Sequence, residues 1–281
     1  MSHRTRGRPV LHIRAGRLHP DAASDTVAHE EPLELRLDGR VLTTTMRTPG
    51  EDVDLAHGWL LAEGIVTAAE DVVSAQFNLG VDGDDGLNVL DVVLGDEVDA
   101  PPAARVRLGT TTASCGICGT SAVDAMTLAT SFPADGDPTT VAADVVLQLP
   151  DRLRAGQHLF EQTGGTHGAA LATPDGSILA VREDVGRHNA VDKVLGWALQ
   201  HGQLPLAGRL LVLSGRAGFE LVQKAAMAGV PVVAAVGAPT ALAVATAEAA
   251  GITLVGFVRG DHANVYTRPD RIVDARSTRA R

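Results

Sequence analysis

Apolar and polar segments alternate most regularly in the last third of the chain, after residue 208. Apolar runs of strand length alternate there with longer segments whose apolar residues recur at helical spacing. Two consecutive βαβ units of this kind form a parallel sheet with right-handed crossovers. The predicted order is strand, helix, strand, helix and strand over residues 209–213, 219–228, 231–236, 241–250 and 252–258.

The first third of the chain has shorter elements. Residues 33–37 alternate apolar with polar side chains, and Asp38-Gly39 provides a turn before the returning strand 41–46, which predicts a β-hairpin. Pro49 to Asp52 mark the start of a helix, since apolar residues recur at helical spacing from Val53 to Ile65. The remaining predicted elements are strands at 72–77 and 89–94, with an acidic surface loop from Gly80 between them.

The middle of the chain is predicted to contain helices and one further hairpin. Pro101-Pro102 suggest a hinge, so a lobe boundary is placed near residue 105. The predicted elements are helices 121–129, 141–153 and 185–199, and a hairpin of residues 169–171 and 178–181 about Asp175-Gly176. The fold class is therefore α/β, with flexible polar tails at 1–25 and 269–281, a smaller N-terminal α+β lobe at 26–105 and a larger lobe at 106–268.

Composition and charge narrow the function classes. Hydrophobic residues make up 45% of the 281 residues and aromatic residues only 3%, which predicts a tightly packed core of small aliphatic side chains. The formal net charge of −10 disfavours general nucleic-acid binding, because such proteins need a basic surface to displace counterions from phosphates. No apolar segment reaches the roughly 18 residues of a membrane span and the start is not that of a signal peptide, so a cytoplasmic protein without membrane contact is expected.

The two cysteines, Cys115 and Cys118, lie three residues apart and are expected to carry thiol chemistry. Gly116 and Gly119 give the backbone freedom to expose sulfur, and a helix starting near Gly119 would favour the thiolate that sulfur transfer requires. Buried inert thiols, a thioredoxin-type dithiol and a zinc site are the alternatives. Zinc would need two further ligands from distant segments, and the βαβ context of a thioredoxin motif is absent upstream, so no structural metal is predicted.

Two further segments offer histidine and arginine side chains. His167 follows a Gly-Gly turn that permits close backbone approach, although this segment taken alone slightly favours a simple glycine-rich turn with a solvent-facing histidine. Arg187 and His188 fall in the first turns of a predicted helix capped by Asp184, an unfavourable place for cations on dipole grounds. Anion binding would explain them, and a salt bridge to Glu183 is the alternative.

Two loops follow predicted strands at the end of the chain. Ser214-Gly215-Arg216 lies between a buried strand and a helix, where α/β sheets bind phosphate groups. The segment has neither the GxGxxG nor the Walker lysine motif, so a simple strand-to-helix connection remains an alternative. The last strand runs into a polar loop over residues 257–266, in which Arg259, His262 and Asn264 are expected to face one crevice.

Taken together, these segments resemble the FdhD family of formate dehydrogenase accessory sulfurtransferases. The resemblance spans roughly residues 31–268, and one departure is Gly218, where a small polar residue is expected. It rests on TPGEDVDLAHGWLLAEGI from Thr48, SCGICG from Ser114, TGGTH from Thr163, EDVGRHNAVDKV from Glu183, SGR from Ser214 and GFVRG from Gly256.

The resemblance implies a cytidine deaminase-like mixed sheet with flanking helices, in a homodimer. It further implies sulfur transfer from a cysteine desulfurase to the molybdenum cofactor, of the bis-molybdopterin guanine dinucleotide type, before insertion into formate dehydrogenase. In this sequence the resemblance implies that Cys115 bears the persulfide and that Cys118 assists the transfer or relays the sulfur. The family's cofactor-contacting segment corresponds to Phe257, Val258, Arg259, Gly260, Asp261 and His262, to which His167, Arg187, His188 and Arg216 are added on physical grounds.

Two other hypotheses predict different behaviour. A chaperone that binds the cofactor or a nucleotide without transferring sulfur would function largely unchanged after Cys115 is replaced. A zinc-dependent deaminase-like hydrolase would hold stoichiometric metal and lose activity to chelators. Such deaminases need a His-x-Glu or Cys-x-Glu element together with Pro-Cys-x-x-Cys, whereas Ser114 precedes Cys115 here.

Overall fold

The computed structural model describes residues 4–78, 87–98, 110–111 and 130–274. Cys115, Cys118, the acidic loop from Gly80, the predicted lobe boundary and the predicted helix 121–129 lie outside these ranges. In chain order the elements are β1 (Thr5–Arg14), β2 (Arg17–Ala28), β3 (Glu31–Leu37), β4 (Arg40–Arg47), α1 (Asp52–Ala62), β5 (Val72–Phe77), β6 (Val89–Leu94), β7 (Thr110–Thr111), β8 (Val141–Ala142), α2 (Ala143–Ala155), α3 (His158–Thr163), β9 (His167–Ala172), β10 (Ile178–Asp184), α4 (Arg187–Gln200), β11 (Leu210–Leu213), α5 (Phe219–Met227), β12 (Val232–Ala235), α6 (Ala241–Ala249), β13 (Thr253–Arg259), β14 (His262–Val265) and β15 (Ile272–Val273).

The hydrophobic patterns predict these elements closely. The strands at 72–77 and 89–94 are confirmed with the predicted bounds, and the hairpin of β3 and β4 is confirmed with strands slightly longer than predicted. In β3 the alternate residues Leu33, Leu35 and Leu37 are buried, which is the period-two burial that a half-buried strand requires. The two βαβ units after residue 208 are also confirmed, because β11 pairs in parallel with β12, and β12 with β13.

The larger sheet has six strands in the order β10-β9-β11-β12-β13-β14. Its centre is parallel, and the pairs β10/β9, β9/β11 and β13/β14 are antiparallel. A second sheet has the order β5-β6-β3-β4-β7 and combines antiparallel and parallel pairs. The chain is thus a mixed α/β protein, as predicted.

Alternate residues of the six-stranded sheet enter two different hydrophobic clusters. One face, with Leu210 and Val212, packs against α2, whereas the other, with Leu211 and Leu213, packs in the cluster that contains α4 and α5 residues. That second cluster also includes β3 and α1 residues such as Leu33 and Leu55, so it is continuous with the core of the smaller sheet. The helices α1 and α4 therefore lie in a layer between the two sheets.

Two glycines set the spacing of α1 and α4. A Cβ atom on Gly58 would lie 1.8 Å from the Asp192 carbonyl oxygen, and one on Gly196 would lie 1.8 Å from the Asp54 carbonyl oxygen. Backbone atoms at these distances leave no space for a side chain. The close crossing of α1 and α4 therefore requires glycine at both positions.

The prediction of a flexible tail at residues 1–25 is wrong for the described residues, since β1 and β2 pair along a long antiparallel hairpin. The base of this hairpin is held by two ion pairs, Arg4 with Glu51 at 2.9 Å and Arg6 with Glu31 at 4.0 Å. The hairpin could not be predicted from the sequence, because its strands lack the alternation that burial of one face imposes.

The start of the predicted C-terminal tail is also ordered. Arg271 is only 2% exposed and its guanidinium donates hydrogen bonds to the carbonyl oxygens of Gly251 at 2.6 Å and Ala134 at 2.7 Å. Ile272 and Val273 then pair with β8. The expectation of a flexible tail from residue 269 is therefore wrong as far as residue 274, because a buried arginine must be satisfied by several acceptors, and the surrounding backbone supplies them.

Candidate functional site

The turns that follow β11 and β12 lie against each other at the carboxyl ends of these parallel strands. The Gly237 amide donates to the Gly215 carbonyl oxygen at 2.8 Å, and the Ala217 amide donates to the Ala238 carbonyl oxygen at 3.2 Å. A Cβ atom on Gly237 would lie 2.9 Å from the backbone of Arg216. The glycine thus allows a close approach that brings the predicted Ser214-Gly215-Arg216 segment to the edge where α/β sheets bind ligands.

The turn between β13 and β14 joins this edge. The Phe257 amide donates to the Gly237 carbonyl oxygen at 3.1 Å, and Arg259 Nε donates to the Val236 carbonyl oxygen at 3.2 Å. Phe257 has a left-handed φ of 54°, which turns the chain at this point. The structure therefore places the predicted segment 257–262 beside the turns after β11 and β12.

The members of this segment differ in exposure. Arg259, Gly260, Asp261 and His262 are exposed, so their side chains or backbone are available to a ligand. The side chain of Val258 is only 1% exposed and packs in the core cluster on the α2 face of the sheet. A ligand contact at Val258 would therefore have to use its backbone.

His167, at the start of β9, contacts the same edge. Its Nδ1 would lie 3.3 Å from a Cβ atom placed on Gly215, so the imidazole ring lies directly over that glycine. Burial lowers the pKa of His167, and the nearby charges of Arg187 and Arg216 lower it further against the opposing effect of Asp184. His167 is therefore neutral at neutral pH, and it lies close enough to both arginines to interact with their charges.

His188, in the first turn of α4, pairs with a residue of α5. Its Nε2 lies 3.1 Å from Glu220 Oε2. Burial lowers the pKa of His188 to about 3, with further contributions from Lys224, Arg187 and His167. The imidazole is therefore neutral at neutral pH and lies beside the Glu220 carboxylate.

A second pair between the same helices lies one turn further along. Lys224 Nζ is 2.6 Å from Asp192 Oδ1. Burial raises the pKa of Asp192 to about 6, against the opposing effect of Lys224. Together with the contact of His188 and Glu220, this pair links the N-terminal half of α4 to α5 at two places.

The acids before α4 have other partners than those predicted. Asp184 does not cap α4, whose N-cap is Gly186, but is fully buried with Lys193, Nζ lying 2.9 Å from Oδ2. The alternative interpretation, a salt bridge between Glu183 and Arg187 or His188, is wrong. The Glu183 carboxylate accepts hydrogen bonds from the amides of Leu159 at 2.8 Å and Phe160 at 2.7 Å, so it caps α3 from outside the helix.

The pair of Asp184 and Lys193 holds the turn that precedes α1. Asp184 Oδ2 accepts from the Thr48 amide at 3.0 Å, and Lys193 Nζ donates to the Thr48 carbonyl oxygen at 2.9 Å. Asn189 adds a hydrogen bond from Nδ2 to the Met46 carbonyl oxygen at 2.8 Å. This buried polar network ties the end of β4 to β10 and α4, and so fixes the smaller sheet relative to His188.

A pocket of about 500 Å³ adjoins His167 on the side of α2 and α3. The Arg154 guanidinium lies 4.1 Å from the ring centroid of Phe160, and Ser214 Oγ accepts from the Gly168 amide at 2.8 Å. Sequence reasoning missed the α2 and α3 residues, since only the fold brings them beside the strand ends. The lining residues are Pro150, Asp151, Leu153, Arg154, Gln157, Phe160, Gly164, Gly165, Thr166, His167, Val185, Ser214 and Val236.

The predicted catalytic residues Cys115 and Cys118 lie outside the described residues. The nearest described element before them in the sequence is β7, which pairs in parallel with β4 through Thr44 with Thr110 and Thr45 with Thr111. Thr45 in turn donates from Oγ1 to Asn189 Oδ1 at 3.2 Å. The strand that leads into the cysteine segment is therefore linked through β4 to the helix that carries Arg187 and His188.

Neither a metal-ligand cluster nor a helix suited to cross a membrane occurs in the described part of the chain. No group of three or more His, Cys, Asp or Glu side chains is arranged there to hold a metal ion. Nor does any helix in that part combine the length and the apolar character needed to cross a membrane.

Comparison with known proteins decides the family. The model of the FdhD/NarQ family matches residues 28–273. The chain belongs to the FdhD/NarQ family. The resemblance read from the sequence motifs is thereby confirmed.

Relatives within this FdhD/NarQ family cover almost the whole chain. A sulfur carrier protein FdhD of Nocardia farcinica is 53% identical over 271 residues, which are 95% of this chain and 96% of that protein. A sulfur carrier protein FdhD of Mycobacterium tuberculosis is 50% identical over 277 residues, which are 97% of this chain and 100% of that protein. Both proteins therefore match this chain over nearly its whole length.

A solved structure supports the same FdhD/NarQ fold. The crystal structure described as a formate dehydrogenase accessory protein from Desulfotalea psychrophila superposes with a TM-score of 0.73 and covers 96% of this chain and 99% of that one. Its sequence is 24% identical, so the likeness concerns the fold.

Proposed function

We propose that this protein is a sulfur carrier required for formate dehydrogenase activity, which receives sulfur from a cysteine desulfurase and passes it to the molybdenum cofactor before that cofactor enters formate dehydrogenase. Cys115 carries the sulfur as a persulfide and Cys118 assists its release. The protein acts in the cytoplasm. The observation that carries the proposal is the near full-length identity of about half the residues to proteins named sulfur carrier protein FdhD, together with the Cys115-x-x-Cys118 motif.

The loading step exchanges one sulfur–sulfur bond for another. The Cys115 thiolate attacks the outer sulfur of the desulfurase persulfide, the bond between the two donor sulfurs breaks, and the desulfurase cysteine leaves as a thiolate. No net oxidation or reduction occurs. Cys115 then bears the sulfur that was on the donor.

The release step needs two electrons, because the carried sulfur must leave as sulfide. The Cys118 thiolate can supply them by attacking the inner sulfur of Cys115, which forms a Cys115–Cys118 disulfide and expels sulfide towards the metal of the acceptor. A cellular dithiol reductant then restores both thiols. This division of labour explains why two cysteines three residues apart serve better than one.

The edge formed by the turns after β11, β12 and β13 suits an anionic acceptor. Arg216, Arg259 and His262 are exposed there, while Arg187 lies within electrostatic range of His167. Guanidinium groups recognise phosphate oxygens in a bidentate manner, which matches the pyrophosphate groups of a bis-molybdopterin guanine dinucleotide. We assign to this edge the residues from Phe257 to His262 with His167, Arg187, His188 and Arg216.

Two structural expectations belong to the same proposal. Helices on both faces of the six-stranded sheet, with three parallel strands at its centre, support a cytidine deaminase-like lobe at residues 106–268 that follows a smaller lobe at residues 26–105. A homodimer remains a prediction from the family resemblance. No metal is assigned to the protein itself.

The decisive experiment is the intact mass of the purified protein after incubation with a cysteine desulfurase, its coenzyme and cysteine. The wild type should gain one sulfur that a thiol reductant removes, Cys115→Ala should gain none, and Cys118→Ala should gain sulfur but release sulfide poorly. The binding-only chaperone would be favoured if the wild type gained no mass and Cys115→Ala still supported formate dehydrogenase maturation. Stoichiometric zinc and loss of activity with chelators would instead favour a deaminase-like hydrolase.

A further inference from the structure

Asn189 lies in the first turn of α4 and is only 7% exposed, so its side-chain amide needs partners within the protein. These partners belong to other elements. Nδ2 donates to the Met46 carbonyl oxygen at 2.8 Å and to Asp184 Oδ1 at 3.1 Å, and Oδ1 accepts from Thr45 Oγ1 at 3.2 Å. One side chain thus joins the start of α4 to β4 and to the end of β10.

The contact on β4 falls at the residues that hold β7. Thr45 pairs with Thr111 and Thr44 pairs with Thr110, and β7 lies at the edge of the smaller sheet beside β4. Whatever fixes this part of β4 therefore also fixes β7. Cys115 follows Thr111 by four positions, and four residues reach about 14 Å at most. The position of β7 thus limits the region in which Cys115 can act.

The other contacts of Asn189 reach the edge formed by the turns after β11, β12 and β13. Arg187 and His188 precede Asn189 in the same turn of α4. Asp184, which accepts from the Asn189 amide, is the cross-strand partner of His167. Asn189 therefore lies between the strand that leads to the cysteines and the residues to which acceptor binding is assigned.

We propose that Asn189 is a positioning residue for sulfur transfer, whose amide sets where β4 and β7 lie relative to the acceptor-binding edge. This role rests on the sulfur-carrier function proposed above. Asn189 acts through β4, and it neither carries sulfur nor contacts the acceptor. Group transfer depends on close alignment of donor and acceptor atoms, and a misplacement of about 1 Å can cost roughly a hundredfold in rate.

Other hydrogen bonds keep β4 attached when the Thr45 hydroxyl is lost. Asp184 and Lys193 bind the amide and the carbonyl oxygen of Thr48, and Thr48 Oγ1 accepts from the Val185 amide at 3.1 Å. None of these bonds involves Thr45. Removal of its hydroxyl should therefore leave the end of β4 in place and release the part of the strand that pairs with β7.

The chain offers a matched set of variants for this test. Thr45→Val removes the hydroxyl that donates to Asn189 and keeps the shape of the side chain, whereas Thr45→Ser keeps the donor. Thr44→Val makes the same exchange one residue earlier. Thr44 also pairs with β7, but its side chain lies on the opposite face of the strand from that of Thr45.

Three quantities are measured on the full-length chain. They are sulfur uptake by intact mass with a cysteine desulfurase, affinity for guanosine diphosphate by calorimetry, and formate dehydrogenase activity in cells that carry each variant as their sole copy at equal protein level. Thr45→Val should take up sulfur fully and bind guanosine diphosphate within about twofold of the wild type. It should nevertheless lower formate dehydrogenase activity by about tenfold or more. Thr45→Ser and Thr44→Val should stay close to the wild type in all three measurements.

A double variant tests whether Thr45 acts through Asn189. Asn189→Leu should show the same split between intact uptake and poor maturation, and addition of Thr45→Val should lower the activity no further. Thermal melting establishes that each variant is folded.

Four results would overturn the positioning role. These are full maturation by Thr45→Val, no rescue by Thr45→Ser, an equal defect in Thr44→Val, and parallel losses of sulfur uptake, affinity and maturation, which indicate a purely structural role. A wild type that gains no sulfur would instead refute the sulfur-carrier function itself, so the two failures are distinguishable.

Discussion

Lys193 Nζ lies 2.9 Å from Asp184 Oδ2, and the side chains of both residues are completely buried. The same two groups hydrogen-bond to the amide and the carbonyl oxygen of Thr48. Each polar atom of this pair therefore has partners that offset the cost of its burial. The pair joins the turn before α1 to β10 and α4, on which the candidate site depends.

Replacing Lys193 by methionine should strongly destabilise the protein, because the Asp184 carboxylate would stay buried without its cation. The expected loss in the free energy of unfolding is about 3–5 kcal/mol, measured by urea denaturation. Arg209 is a half-exposed cation, so Arg209→Met should change the free energy of unfolding by no more than about 0.5 kcal/mol. A loss of similar size in both variants would show that Lys193 has no special structural role.

Gly58→Ala should force α1 and α4 apart, since the new Cβ atom would meet the Asp192 carbonyl oxygen at 1.8 Å. Backbone atoms on both sides prevent local adjustment, so we expect a loss of about 3 kcal/mol or more in unfolding free energy. Gly7→Ala is the matched control, because the nearest atom to its Cβ is the Ser24 hydroxyl oxygen at 3.8 Å. Equal thermal melting temperatures for both variants would contradict the close-crossing argument.

The half-buried His188 should make stability fall at acid pH. Its folded-state pKa is lowered from 6.5 to about 3, so between these values the unfolded chain binds more protons than the folded chain. The stability that neutral His188 contributes is complete above pH 6.5 and is lost as the pH falls towards 3. His188→Gln keeps a donor for Glu220 and removes the titration, so its unfolding free energy should fall less steeply with acidification.

This pH dependence is measured by urea denaturation from about pH 7.5 to about pH 5. His167 also has a lowered pKa, so part of the slope should persist in His188→Gln. The exposed His158 provides the control, and His158→Gln should show the wild-type slope. An identical slope in all three proteins would mean that His188 becomes protonated in the folded state as readily as in the unfolded state.

Gly237→Ala should weaken anion binding at the strand ends. The added methyl group would lie 2.9 Å from the Arg216 backbone and would separate the turns after β11 and β12. We expect at least about a tenfold loss in affinity for guanosine diphosphate, used as a fragment of the proposed acceptor and measured by calorimetry. Gly218→Ala on the same edge has open space around its Cβ, so its affinity should remain close to that of the wild type.

Most of the secondary structure was predictable from the pattern of apolar residues. Period-two burial in β3 and the alternating strands and helices after residue 208 are direct consequences of which side chains enter the core, so they were predictable. The family was equally predictable, because several ordered motifs from Thr48 to Gly260 carry it. These properties depend on local pattern.

Tertiary structure alone decided the partners of the charged residues. Asp184 was predicted as a helix cap, and a salt bridge to Glu183 was the alternative to anion binding by Arg187 and His188. In the structure Asp184 pairs with Lys193, and Glu183 caps α3. The partner of His188 is Glu220, 32 positions later in the chain. Each carboxylate has several possible hydrogen-bond donors nearby in the sequence. Contacts between distant elements of the folded chain decide which donors it binds.

The hairpin of β1 and β2 was missed for a related reason. Its strands are mostly exposed, so no alternation of apolar residues reveals them. The ladder between β1 and β2, the ion pairs at its base and the packing of β2 against α3 give them order. Arg271 is the converse case, a charged residue near the end of the chain that the fold buries among carbonyl oxygens. Hydrophobic pattern reports burial of apolar faces, whereas hydrogen bonds and ion pairs between distant segments become visible only when the chain is folded.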